Sequence, residues 1–266
     1  MPFAFRLPPY GGGRGERPNF FSFMDYKDFD RMVNEAEGTY TRSYRPSTTL
    51  PVLMRKVYTW MALALVITGV TAYGVATTPS IIEAIVFNKL LFYGLIAAEF
   101  GLVWFLSSRI GSLSLATATL MFIVYSVING ATLSILLLIY TMESIGMVFF
   151  ITAATFGVMA LIGYTTKTDL SKMGNILYMA LIGLIIATVV NLFVHSSGLQ
   201  LIISYIGVLL FVGLTAYDTQ KIKQMLYEQD SADESAQKLA LLGALSLYLD
   251  FVNLFIYLLR ILGNRK

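Results

Sequence analysis

The 266-residue chain has no cysteine and a single histidine, His195. Disulfides, iron–sulfur clusters and thiolate zinc sites are therefore excluded, as is any metal centre that needs several histidines. Charge is scarce too. Asp, Glu, Lys and Arg together make up 13% of residues, half the share of about 25% usual in a soluble domain. Lys and Arg number 19 and Asp and Glu 16; of these, 15 fall in residues 1–56 and only nine in residues 57–218. Proline is confined in the same way, with six of seven in residues 1–51, the last at Pro79 and none beyond it. A long stretch poor in charge and free of proline suits helices in lipid, where each backbone amide must find its partner within its own segment. The net charge of +3 is small and lies near the predicted membrane faces. It reads as an orientation signal and not as a nucleic-acid-binding surface.

What the chain does have is apolar length. It is 56% hydrophobic with a mean hydropathy of +0.69. A membrane-spanning helix needs about 20 apolar residues, and seven segments qualify: Val57–Ala76, Leu90–Leu106, Leu115–Ile139, Ile145–Tyr164, Gly174–Val194, Leu199–Tyr217 and Leu239–Leu262. The second is short and contains Glu99; a start near Ile81 would lengthen it. The sixth can run on past Lys221 into water. Breaks are expected at Thr77–Pro79, Ser107–Ser112, Thr141–Ser144, Thr165–Met173, His195–Gly198 and Glu228–Glu234. The fold class expected is an all-α membrane protein, a bundle of seven transmembrane helices over residues 51–266. Residues 1–50, with Pro8-Pro9 and Gly11–Gly13, show no apolar period. They read as a largely disordered cytoplasmic tail, with a short surface helix over Asp25–Glu37. The start lacks a basic end followed by an apolar run, so it is not a signal peptide.

Basic residues at the span ends orient the bundle. Arg42, Arg45, Arg55 and Lys56 precede the first span, Arg109 follows the second, Lys167 and Lys172 follow the fourth, and Lys221, Lys223 and Lys238 lie between the sixth and seventh. The alternate connections are nearly free of positive charge, apart from Lys89. This places the N-terminus in the cytoplasm and, with seven spans, the C-terminus outside. Arg260, Arg265 and Lys266 argue against that, so the last segment either is a span that breaks the rule or is re-entrant. Its 24 residues favour a span.

Charges at membrane depth are costly and mark functional positions. Glu99, Arg109, Asp218 and Asp250 are the candidates. On the last segment Gly243, Ser246, Asp250, Asn253, Tyr257 and Arg260 recur at spacings of 3, 4, 3, 4 and 3, which aligns them on one helix face. Such a stripe cannot face lipid, so the C-terminal helix is expected at the centre of the bundle. The stripe is either a polar seam gluing helices together or the wall of a pathway; a carboxylate at its middle favours the pathway, with Asn253 and Ser246 lining it. Asp218 is either a solvated helix-end carboxylate or a partner of Asp250 across the hairpin of spans six and seven. Asp250 lies about five residues deeper, a mismatch of roughly 7–8 Å that tilt must absorb. If the two meet in a poor dielectric they cannot both ionise easily and hold one proton between them, which makes the pair a pH sensor. Protonated, the pair bridges the two helices. Deprotonated, it repels and offers hard oxygen ligands to a passing cation. Arg109 is either a plain interfacial anchor or a partner of the open pair. Glu99 is left open: pathway lining, a pair with Lys89 or Arg109, or an interfacial position.

Two segments, Ala216–Lys221 and Ser246–Gly263 (SLYLDFVNLFIYLLRILG), resemble the signature of the Bax inhibitor-1 family, the transmembrane Bax-inhibitor-motif proteins. Leu53–Leu65, Asn129–Ile135 (NGATLSI) and Gly157–Gly174, with IGYTT at Ile162–Thr166, agree with it. The resemblance covers about residues 50–264 and leaves out the tail. It implies seven helices with the last one central, and a pH-sensitive calcium leak gated by a di-aspartate proton sensor, here Asp218 and Asp250. In bacterial relatives an arginine at the end of the second helix accompanies that pair; Arg109 holds the position, although its surroundings match poorly. The resemblance implies Ca2+ and H+ as the ions handled, with no cofactor and no fixed metal site beyond transient Ca2+ at Asp218 and Asp250. Short loops and a lone histidine point to a bacterial inner membrane. Some bacterial relatives are thought to modulate a membrane protease through the N-terminal region, which offers a second role for the tail. An enzyme is not expected. Tyr217-Asp218 fits the first motif of presenilin-type proteases, but Asp250 lacks the glycines of the second, and the C-terminal proline motif is impossible here. A ceramidase-like zinc site would need more histidines.

Overall fold

The computed structural model describes residues 49–229 and 231–266; the expected tail, including Asp25–Glu37, lies outside the described residues. Eight helices follow in order: α1 (Leu50–Ala76), α2 (Pro79–Phe87), α3 (Lys89–Arg109), α4 (Leu115–Ile139), α5 (Met142–Thr165), α6 (Ser171–Val194), α7 (Ser197–Tyr227) and α8 (Glu234–Leu262). All but α2 are long and apolar enough to cross a membrane.

The ends of these helices follow from local chemistry. Asn88, Ser114, Thr141, Ser196 and Asp233 each accept a hydrogen bond from the backbone N–H three residues on, which satisfies a donor that the first turn leaves unpaired. Pro51 and Pro79 sit in the first turns of α1 and α2, where no intrahelical donor is lost. Asp169 accepts from the backbone N–H of Ser171 at 2.9 Å at the start of α6. Hydrogen bonds from Ser171, side chain first and then backbone, hold the Asp169 carboxyl below the usual carboxylate range. His195 ends α6 in the left-handed region, at φ 53°.

Several boundaries differ from the sequence reading. The second span does not begin near Ile81: α2 stops at Phe87, and Asn88 caps α3 as a new helix. The first, fourth, fifth and seventh spans also begin earlier, at Leu50, Met142, Ser171 and Glu234, because residues at the interface, such as Lys172 and Glu234, can continue a helix beyond the hydrocarbon core. The sixth does run on past Lys221, to Tyr227.

α8 is the axis of the bundle and packs against α1, α4, α5 and α7. The expectation of a central C-terminal helix is met. Tyr248 at its middle is fully buried and meets the rings of Phe122 and Tyr125 edge-on at 5.8 and 5.7 Å. Around this axis the helices approach closely where glycine permits. A Cβ on Gly130 of α4 would lie 2.6 Å from the Thr68 carbonyl oxygen of α1, and one on Gly163 of α5 would collide with the Ala216 carbonyl of α7. Gly163→Ala is therefore expected to lower the stability of the detergent-solubilised protein by about 1–3 kcal/mol, the cost of overpacking a close contact. An unchanged unfolding midpoint would show that α5 and α7 stand farther apart than this. α3 and α6 lie at the periphery. Among the described helices α3 packs on α2 and α4, while α6 packs chiefly on α7.

Both ends of the bundle are tied. At one end Lys56 donates to the side chain of Gln237 at 2.8 Å, and Lys238 donates to the Leu113 carbonyl at 3.0 Å. At the other, the C-terminal residues lie along the α4–α5 turn as a strap. Thr141 N donates to Asn264 O at 3.0 Å, Lys266 N to Ile139 O at 2.9 Å, and Asn264 N to Ser144 Oγ at 2.9 Å. Because α8 is one uninterrupted helix, it is a span and not a re-entrant segment. Arg260, Arg265 and Lys266 thus lie at the end opposite Lys221, Lys223 and Lys238.

Candidate functional site

The polar stripe of α8 faces a cavity of about 480 Å³ enclosed by α3, α4, α6, α7 and α8. Ser246, Asp250, Asn253 and Tyr257 line it from α8, Asp218 from α7 and Glu99 from α3. Two other members of the stripe do not: Gly243 packs against Ile222 of α7, and the Arg260 guanidinium lies over the Tyr257 ring at 5.4 Å.

The cavity holds three carboxylates in different surroundings. Asp218, 6% exposed, accepts a hydrogen bond from Ser246 Oγ at 2.5 Å and a long one from Tyr178 OH at 3.4 Å. Asp250, 4% exposed, has its Oδ2 buried without any hydrogen-bond partner. The two carboxyls therefore share no hydrogen bond here; a serine hydroxyl occupies the position expected of the second carboxyl. The depth mismatch explains it. Ser246 lies level with Asp218, and Asp250 is one helical turn, about 6 Å, farther along α8. A buried carboxylate oxygen without a donor is costly, so Asp250 is not held in place for stability.

Glu99 accepts from Thr132 Oγ1 at 2.6 Å and from Asn129 Nδ2 at 3.2 Å. Asn129 in turn accepts from Tyr248 OH at 2.8 Å, and Tyr248 OH lies 2.6 Å from Thr68 Oγ1. One polar chain thus runs from the cavity wall into the core. Arg109 is not part of the site. It stands exposed in the last turn of α3 and does not line the cavity. Neither Lys89 nor Arg109 pairs with Glu99; two neutral donors of α4 serve it.

Tyr178, Thr132, Asn129 and Tyr248 were not singled out as site residues on sequence. Asn129 and Thr132 lie three apart within NGATLSI, a spacing that puts both on one helix face. Tyr178 carries no such signal. Below the carboxylates, Gln220 clamps the α5–α6 connection. Its side chain accepts from Leu170 N at 2.8 Å and donates to Thr168 O at 2.8 Å. Among the described residues, no three acidic or histidine side chains stand close enough together to hold a metal ion.

Comparison with known proteins agrees with this architecture. The family model described as "Inhibitor of apoptosis-promoting Bax1" matches residues 50–266. The chain is 47% identical over 223 residues to the inner membrane protein YbhL of Escherichia coli K12, covering 84% of this chain and 95% of that protein. It is 46% identical over 213 residues to an uncharacterized protein of Borreliella burgdorferi, covering 80% of this chain and 92% of the relative. It is 41% identical over 213 residues to one of Deinococcus radiodurans, covering 80% and 90%. Seven spans and an inner-membrane relative of this similarity make it a multi-pass protein of a bacterial inner membrane. With a family match that takes in every described helix from α1 to α8, the chain is a member of the Bax inhibitor-1 family.

Proposed function

We propose that this protein is a pH-sensitive cation leak that passes calcium across the inner membrane, with Asp218 and Asp250 as its proton-sensing carboxylates. It is a non-enzymatic role. The observation that carries the reading is the unpartnered Asp250 carboxylate, which faces a cavity shared with Asp218 and Glu99 inside a membrane-spanning bundle. Carboxylate oxygens are the ligands a hard divalent cation takes. A pair that gains or loses a proton changes the number of charged ligands on offer. Protonation removes negative charge from the cavity, so flux is expected to rise with pH. Three carboxylates spread along a cavity, and not clustered into one cage, suit a cation that must also leave.

The test is calcium entry into liposomes holding the purified full chain, followed on either side of neutral pH. Flux that exceeds that of empty liposomes and rises with pH supports the reading. Flux equal to that of empty liposomes at every pH sinks it. Glu99→Gln separates entry from sensing. Because Glu99 is held by donors of α4, away from Ser246 and Tyr178, its loss is expected to lower flux severalfold and leave the pH midpoint in place. A displaced midpoint would place Glu99 inside the sensor.

A further inference from the structure

A second cavity lies beside the first and shares Leu133 and Val252 with it. It is a crevice of about 200 Å³ between α1 and α5, floored by Val252 and Phe255 of α8 and closed at the back by Leu133 and Leu137 of α4. It differs from the acidic cavity in chemistry. Its wall is apolar except for Thr68 and Tyr73, and the Thr68 hydroxyl is already bonded to Ser126 O at 3.0 Å and to Tyr248 OH at 2.6 Å. No charged side chain lines it, and only the Tyr73 hydroxyl is left as a polar group. An apolar cavity of about 150 Å³ stays dry and takes up a hydrocarbon of benzene size, and a crevice at membrane depth meets acyl chains first.

Its rim is basic. Lys266 Nζ donates to the carbonyl oxygen of Leu137, a wall residue, at 2.7 Å. The backbone of Arg265, its neighbour, pairs with that of Tyr140, and Arg265 is exposed. The strap along the α4–α5 turn holds the backbone of both residues at the end of the bundle where the positive-inside rule disfavours cations. Glu143, exposed in the first turn of α5, is an opposing charge at this end. We propose that the α1–α5 crevice and the C-terminal strap form a binding site for an anionic phospholipid, with one acyl chain in the crevice and the phosphate on Arg265 and Lys266. The occupant is anionic because two basic residues stand at the end of an apolar slot; in a zwitterionic lipid the headgroup's own cation offsets the phosphate charge that they would meet. Such residues at the membrane surface attract acidic lipids additively.

The test is native mass spectrometry of the purified full chain in detergent, titrated with palmitoyl-oleoyl phosphatidylglycerol or with the phosphatidylcholine of the same chains. Wild type is expected to retain one phosphatidylglycerol in preference to phosphatidylcholine. The double variant Arg265→Gln, Lys266→Gln is expected to lose about thirtyfold in phosphatidylglycerol affinity, at about 1 kcal/mol for each surface cation. Gly69→Leu fills the crevice from α1, where an added Cβ meets nothing within 4 Å, and improves helix propensity, so it leaves the fold intact. It is expected to abolish retention of both lipids. Equal retention of the two lipids by wild type overturns the headgroup assignment. Unchanged retention by Gly69→Leu overturns the crevice. Neither result touches the calcium reading, which rests on Asp218, Asp250 and Glu99, none of which lines the crevice.

Discussion

Liposomes carrying Asp250→Asn are expected to leak calcium at least about tenfold more slowly than wild type, with no dependence on pH. The substitution keeps the shape of the side chain and removes its charge. A unit charge about 4 Å from another at an effective dielectric near 20 is worth about 4 kcal/mol. Losing one carboxylate from the cavity therefore outweighs any small change in packing. The same substitution is expected to leave the protein as stable as wild type or more so. Asp250 Oδ2 has no donor to lose, and a buried ionisable group without a partner costs stability. Asp218→Asn is expected to lose flux in the same way but to gain no stability, because Ser246 and Tyr178 donate to the carboxylate it replaces. Flux and thermal midpoint measured on the same preparations distinguish the cases. Lower flux with an unaltered pH profile in both variants would remove the two aspartates from the sensor. Lower flux with lower stability in Asp250→Asn would make its role structural.

Tyr248→Ala is expected to be the most damaging single change to the fold, at about 3–5 kcal/mol, the usual cost of truncating a fully buried aromatic. Its ring meets Phe122 and Tyr125 edge-on, and its hydroxyl completes the chain from Thr68 to Glu99. Tyr248→Phe separates the two contributions. It keeps the ring and removes a donor to Asn129. Hydrogen bonds between helices in a membrane average about 0.6 kcal/mol, so packing dominates and the phenylalanine variant is expected to lose about 1 kcal/mol. The check is unfolding of both variants in mixed detergent. Equal losses would mean that the hydroxyl, and not the ring, holds α8 in the bundle.

The sequence carried most of the architecture. The breaks expected at Thr141–Ser144 and His195–Gly198 contain the caps Thr141 and Ser196, and the 3-4-3-4-3 spacing from Gly243 to Arg260 orients α8. Both signals are local, and local chemistry decides them. What sequence reading missed is decided by register between distant segments. Ser246 reaches Asp218 because two arms of a hairpin differ in length, and Glu99 finds Thr132 thirty-three positions away, so no spacing rule connects them. Arg109 shows the converse. Its position at the end of a helix matched a family pattern, but one side chain in the last turn of an outer helix can point to water as readily as inward, and here it is exposed. The break at Asn88 was legible only as a short span. A single capping side chain turns one long segment into two helices.

The central place of α8 has a consequence for how the protein is made. The ribosome delivers this helix after α1 to α7. Until then Asn129, Asp218 and the Thr68 hydroxyl surround a slot with no occupant, and their polar groups await Tyr248 and Ser246. A nascent chain stalled before Glu234 would be a ring of helices without a hub, its buried carboxylate facing lipid or leaked water. Assembly is therefore bound to completion. A product truncated before Ser246 leaves Asp218 and Asn129 without the donors that Ser246 and Tyr248 supply.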